Sequence, residues 1–190
     1  MGSEMCIRDR MGVLTAVVLV GILFAAAYNG LVGKSEKVDA AWANVEVNLQ
    51  RRAELIPNLV STVQGYADHE KEVFDRVLEA RTKLIGAKTM QDMAAADEEL
   101  SSALKGMMVI VENYPDLKAS ANFVQLSDEL AGTENRIAIS RRDYNDAVRE
   151  YNSAIKRLPG NLLADMFGFE AKDYFEADEK AAEVPTVSFQ

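Results

Sequence analysis

Residues 38–84 read VDAAWANVEVNLQRRAELIPNLVSTVQGYADHEKEVFDRVLEARTKL, and their apolar side chains return every seven residues. One row is Val38, Val45, Leu59, Tyr66, Val73 and Ala80, with Arg52 in its gap. A second row is Trp42, Leu49, Ile56, Val63, Val77 and Leu84, with Glu70 in its gap. Two rows three or four positions apart make the seam of a helix that packs in coiled-coil fashion. The spacing predicts one long helix from Val38 to Leu84. Pro57 falls inside it, lacks an N–H and crowds the preceding turn, which predicts a kink near Ala53 to Ile56. No Gly or Asn cluster accompanies the proline, so a hairpin there is disfavoured.

Downstream, Gly86 to Thr89 is the first convincing break, and Thr89-Met90-Gln91-Asp92 offers a capping start for a second helix. Its row is Met93, Leu100, Met107 and Tyr114, flanked by Ala96, Leu104 and Val111. Asn113-Tyr114-Pro115-Asp116 ends it, because the residue before a proline disfavours helix. A third helix starts near Ser120 to Asn122 and carries Phe123, Leu130, Ile137, Tyr144, Tyr151 and Leu158, with Leu126, Ala147, Val148 and Ile155 beside them. Gly132 costs that helix about 1 kcal/mol of propensity, and Pro159-Gly160 stops it. A short apolar piece, Leu162 to Phe169, follows. Long amphipathic helices with short connections pack best as an antiparallel bundle.

Upstream, residues 11–33, MGVLTAVVLVGILFAAAYNGLVG, contain no charged side chain. As a helix this run is about 34 Å long, against a bilayer hydrocarbon core of about 30 Å. A buried core helix would be shorter and would show a polar stripe. The stronger rival is a cleaved signal peptide, with Arg8 and Arg10 as its basic region and Ala25-Ala26-Ala27 as its small-residue site. The lack of charge through Tyr28 to Val32 favours a retained anchor. Residues 1–10, MGSEMCIRDR, share neither periodicity nor a sensible leader order with the rest, so Met11 is the expected natural start. With Arg8 and Arg10 counted, the positive-inside rule puts the domain outside the cytoplasm, the side expected here. Without them, Lys34 and Lys37 leave the orientation weakly specified. The expected fold is all-α. A leader at 1–10 and a single transmembrane helix at 11–33 precede an antiparallel bundle of three to four long helices at 34–169. An acidic tail at 170–190, its second half disordered, ends the chain.

The formal charge is −9, and Glu4 and Asp9 cancel Arg8 and Arg10, so all of it lies from Lys34 onward. Such a domain is a poor electrostatic partner for nucleic acid or anionic lipid. Cys6 is the lone cysteine and His69 the lone histidine. A zinc-protease helix needs a second histidine four residues on, where Val73 stands, and a bundle carboxylate site needs Glu-x-x-His on two helices. No metal or cofactor site is expected. Nucleophile elbows and glycine-rich phosphate loops are absent too, so catalysis is not expected. A hydrolase working through His69 and Glu70 is a minor alternative.

Polar residues inside the seam carry more information. Arg52 and Glu70 interrupt the first helix's rows, and Glu134 and Arg141 share a row with Val148 and Ile155. They are either solvated edge charges or an ion-pair layer that sets register among similar heptads. Met90, Met93, Met107 and Met108 cluster on the second helix, where core filling is the commoner use and an adaptable binding face the other. Phe167, Phe169, Tyr174 and Phe175 either fold back onto the bundle's end or contact a partner or membrane.

The run from Ala41 to Glu70, with its AW, RR, LIPNLV and GYA-x-HE elements, resembles the LemA family of bacterial membrane proteins. GTENRIAISRRDYNDAV from Gly132, Tyr114-Pro115, the FGF of residues 167–169 and YFEA at 174–177 match as well. The resemblance implies an N-terminal membrane helix and a long helical bundle, and it brings no catalytic residues. Arg51, Arg52, Asn58, His69 and Glu70 are thereby packing or partner-contact candidates, together with Phe167 and Phe169. The expected function is that of a membrane-anchored scaffold binding protein partners or its own copies. A membrane-shaping or lipid-contacting role through residues 162–175 is the alternative.

Overall fold

A computed structural model describes residues 2–67 and 69–175, with side chains from Arg10 onward. Six helices cover the described residues: α1 (Gly2–Gln64), α2 (Lys71–Gly86), α3 (Met90–Val111), α4 (Pro115–Lys118), α5 (Ala121–Ile155) and α6 (Gly160–Phe167). No strand occurs among them. The expected disorder of the tail's second half falls outside these residues. Local chemistry sets most of the boundaries. The Thr89 hydroxyl accepts from the Asp92 amide at 3.1 Å, and Ser120 accepts from Phe123 at 3.3 Å, each filling a donor left open at a helix start. Pro115 opens α4 at a position where a missing N–H costs nothing. Gly168 closes α6 in the left-handed conformation, φ 72°, its amide bonding the Ala164 carbonyl at 2.9 Å.

The single helix expected over Val38 to Leu84 is in fact two. α1 ends at Gln64, and the chain turns through Gly65 to Glu70 before α2. The Tyr66 and Ala67 amides both bond the Val63 carbonyl at 3.0 Å, tightening the last turn. Glycine at 65 weakens the helix where no seam residue holds it. Because the heptads fall in phase on both sides, the pattern ran on across the turn. Tyr66, a nominal seam position, is instead 48% exposed. On the other side α1 runs unbroken from the apolar stretch into the seam, since Lys34 to Lys37 are helical. Its N-terminal portion is the one helix of the described residues long and apolar enough to cross a membrane.

Pro57 stays inside α1. The carbonyl that its missing N–H would have engaged is that of Ala53, four residues back. Arg81 of α2 supplies the replacement, its Nε donating to the Ala53 oxygen at 2.8 Å. The helix thus passes through its proline with the orphaned acceptor satisfied from a neighbour.

The described residues divide into two compact units, one of residues 2–41 with 144–173, the other of residues from 42 to 143 with 174 and 175. In the second, Val45, Leu49, Ile56, Leu59 and Val63 of α1 bury with Val77 and Leu84 of α2, Leu100 and Met107 of α3, and Phe123 and Ile137 of α5. Lys83, late in α2, donates to Glu99, early in α3, at 2.7 Å. In the first unit, Leu31 and Val38 of α1 bury with Tyr144, Val148 and Tyr151 of α5. Leu158 breaks the third row and is 76% exposed, because α5 has already stopped at Ile155. An extended segment then returns along α5. The Asn152 amide side chain donates to the Lys172 carbonyl at 2.8 Å and accepts from the Lys172 amide at 2.9 Å, and the Tyr144 hydroxyl donates to the Asp173 carbonyl at 2.9 Å. Burial first, then the charges of Asp173 and Asp39, raises the Tyr144 pKa, so this hydroxyl stays a donor well past neutrality.

Four variants test these features by thermal unfolding of the detergent-solubilised protein. Arg81→Met removes the donor to Ala53 and is expected to cost about 1–2 kcal/mol. In a Pro57→Ala background that loss shrinks, because the restored amide at position 57 takes the same carbonyl. Gly160→Ala drives a Cβ to 2.2 Å from the Ala154 carbonyl oxygen and lowers stability by about 1–3 kcal/mol. Gly132→Ala meets only the Arg136 side-chain tip at 3.7 Å and raises it by up to about 1 kcal/mol.

Candidate functional site

Within the second unit, three helices each bring a charged residue of their apolar rows to the same place. Arg52 sits in the gap of the α1 row, Asp97 stands between Met93 and Leu100 on α3, and Arg141 follows Ile137 on α5. Asp97 Oδ1 accepts from Arg52 Nη1 at 2.8 Å, and Oδ2 accepts from Arg141 Nη2 at 2.6 Å. Arg52 Nη1 also reaches the Ser101 hydroxyl at 3.0 Å, which donates in turn to the Asp97 carbonyl at 2.9 Å. The Arg52 and Asp97 side chains are 5% and 4% exposed, that of Arg141 31%. Arg141 lies 4.3 Å over the Phe175 ring, and Trp42 packs 6.3 Å from the same ring. Burial pulls the Arg141 pKa below its ordinary value, with the Asp97 charge opposing and Arg52 adding to the pull. The guanidinium nevertheless stays protonated. Two cations share the Asp97 carboxylate, and the charge of Glu134 also acts on Arg141.

Asp97 was not among the expected seam charges, and it makes the ion pairs with both arginines, while Glu134 acts on Arg141 through its charge. Glu70 lies in the turn that splits the expected helix and caps α2 through its backbone, its carbonyl accepting from Val73 at 3.2 Å. Glu134 is exposed, one position past the fully buried Thr133. Once α1 ends at Gln64, position 70 is no longer on the seam, and Asp97 already engages both guanidiniums. A signal for Asp97 existed in the spacing Met93, Asp97, Leu100, Leu104. The acidic run Asp97-Glu98-Glu99 hid it by reading as a solvated face.

Beside this layer, α1, α3 and α5 enclose a cleft of about 440 Å³. Leu59, Leu104, Met108, Val109 and Leu130 give it apolar walls, and Arg52, Ser101, Ser127 and Glu134 its polar groups. Ser127 Oγ and Arg52 Nε are buried without a hydrogen-bond partner. Such orphaned groups normally find a partner, and each one left without costs stability. The methionine cluster divides here. Met107 is fully buried, while Met108, 41% exposed, joins Val109, 69% exposed, at the cleft.

The other candidates lie apart from the layer. Arg51, Asn58 and His69 are exposed, His69 in the turn after α1. In the first unit, Phe167 and Phe169 stand 4.9 Å and 5.7 Å from the Tyr28 ring. The aromatic segment therefore serves both units, with Phe175 buried and Tyr174 exposed in the second.

Asp97→Ala strands two guanidiniums with no carboxylate between them and is expected to cost about 3–5 kcal/mol in equilibrium unfolding. Adding Arg52→Ala costs less than the sum of the single losses, because the second change removes a charge the first left unpaired.

Magnetosome protein MamQ 2 of Paramagnetospirillum magneticum is 30% identical over 95% of this chain and 75% of its own length. Magnetosome protein MamQ of Magnetospirillum gryphiswaldense is 28% identical over the same shares. Protein LemA of Metamycoplasma hominis is 23% identical over 88% of this chain and 78% of its own. The LemA family profile matches residues 41–189, spanning Arg52, Asp97, Arg141 and the cleft. The chain belongs to the LemA family.

Proposed function

We propose that this protein is a membrane-anchored, non-enzymatic scaffold that acts by binding another protein in the cleft between α1, α3 and α5. The observation that carries the reading is the cleft itself, with apolar walls, unpartnered polar atoms on Arg52 and Ser127, and the Arg52–Asp97–Arg141 layer beside it. Concave apolar sites with a few placed polar groups are where ligands and partner side chains dock. A segment bringing an apolar side chain next to a hydrogen-bond acceptor matches this one. In the proposal the helices form an antiparallel bundle, as the pairing of the end of α2 with the start of α3 suggests, and α1 holds it to the membrane with the bundle outside the cytoplasm. Two of the relatives are named for the magnetosome and one for the family alone. A shared scaffold presented to different partners accommodates that difference more readily than a shared reaction does.

The test is photo-crosslinking in intact cells, with a benzophenone amino acid at Met108 or Val109 and, as control, at exposed Asp116 of α4. A defined foreign protein joined at the cleft positions and not at Asp116 is the expected result. A ladder of the protein's own copies makes the occupant a second copy. No adduct above the Asp116 control removes the reading. Protease accessibility on the same cells reads the side of the membrane.

A further inference from the structure

Around α6, three large apolar side chains face outward: Leu158 at 76% exposure, Leu162 at 48% and Met166 at 71%, while Phe167 turns toward Tyr28. All lie in the unit that contains residues 2–41. Leu162 and Met166 are four apart and share one helix face. Leu163 and Ala164 bury the other side. The short helix is therefore apolar toward its own unit, and away from it Leu162 and Met166 stand beside the exposed Asp165, with Asn161 at the edge. Large apolar side chains left this exposed on one side of a short helix mark an interaction site.

Its position says what covers it. Phe167 and Phe169 pack on Tyr28, which lies inside the uncharged run of α1 and six residues before Lys34, the first charge after it. The bare part of that run, Met11 to Leu23, is only about 20 Å of helix, some 10 Å short of a hydrocarbon core of about 30 Å. Arg8, Asp9 and Arg10 prevent the span from starting earlier. The missing thickness has to come from residues 24–30, and that is the level at which Tyr28 holds α6. Rings at the edge of the hydrocarbon occupy the depth of the aromatic belts, and an amphipathic helix lying there sinks its apolar face about 5–10 Å. Exposed Lys156 and Arg157, just before Leu158, suit the headgroup layer.

We propose that α6, with Leu158, lies in the interfacial zone of the same bilayer that α1 spans, so that the protein holds its membrane by a spanning helix and a second, surface-lying one. This rests on α1 crossing the membrane at residues 11–33 and is independent of what binds the cleft. The contact is apolar, so it does not depend on anionic lipid.

Full-length protein in phosphatidylcholine vesicles, in a Cys6→Ser background, is labelled with an environment-sensitive fluorophore at single cysteines replacing Leu162, Met166, Val18 or Asp116. Nitroxide lipids carrying the spin label near the headgroup are expected to quench the Leu162 and Met166 positions several-fold more than Asp116, while aqueous iodide reaches them poorly. Free access of iodide with no lipid quenching overturns the proposal. Protection from both quenchers overturns it too, since protein then covers the patch. Quenching at Val18, by lipids labelled deep in the chain, but not at Leu162 or Met166 defeats only this inference. No lipid quenching at Val18 defeats the spanning reading with it.

Discussion

Asp97 holds two arginines from two other helices, and the packing of its unit depends on that shared carboxylate. Rows of Val, Leu and Ile repeating every seven residues are nearly alike from one heptad to the next, and apolar contact alone penalises a slip weakly. A buried carboxylate between two guanidiniums behaves differently. Its net contribution to stability is small, since desolvation offsets the attraction, but any register that separates the three groups leaves a charge buried and unpaired. Arg52 of α1, Asp97 of α3 and Arg141 of α5 meet in ion pairs of 2.8 and 2.6 Å, and a heptad slip of any one helix breaks at least one of them.

The same layer borders the cleft, and the coincidence has a physical basis. Arginine is a long side chain with five donors, more than a single aspartate can accept. Ser101 takes up one of the remaining bonds, while Nε atoms of both arginines are left over. Where small residues such as Ala131 and Ser127 stand on α5, the wall does not close over Arg52 and space remains. The group that orders the helices thus also leaves unspent hydrogen-bonding capacity beside an apolar groove, the combination a binding site uses.

In the other unit the ordering device is backbone recognition. The Asn152 side chain makes the paired bonds to Lys172 that a neighbouring strand would make, and Tyr144 adds one to Asp173. These bonds lay an extended segment along α5, and the rings that precede it meet Tyr28. α1 (Gly2–Gln64) contributes residues to both units. Its proline, the natural place for a break, is bridged by Arg81.

The helical class, the apolar span, the second and third helix starts and most of the buried rows were legible in the sequence. Period and capping are local properties, so Val45, Leu49, Ile56, Leu100, Met107, Ile137 and Val148 announce themselves by spacing, as Thr89 does by its hydroxyl. The turn at Gly65 to Glu70 was not legible, because heptads in phase on both sides conceal a gap between them. Arg52 and Arg141 stood out as charges on apolar rows, but their partner did not. Asp97 hides within an acidic run, and which carboxylate meets which guanidinium depends on the relative rotation of helices far apart in the chain. The roles of Asn152 and Arg81 were hidden for the same reason: a side chain's bond to a distant backbone has no period. The sequence by itself determined what is helical and which faces are apolar. Tertiary packing alone decided how the charges pair, where the cleft opens and which rings reach Tyr28, because those depend on distances between elements that no local pattern encodes.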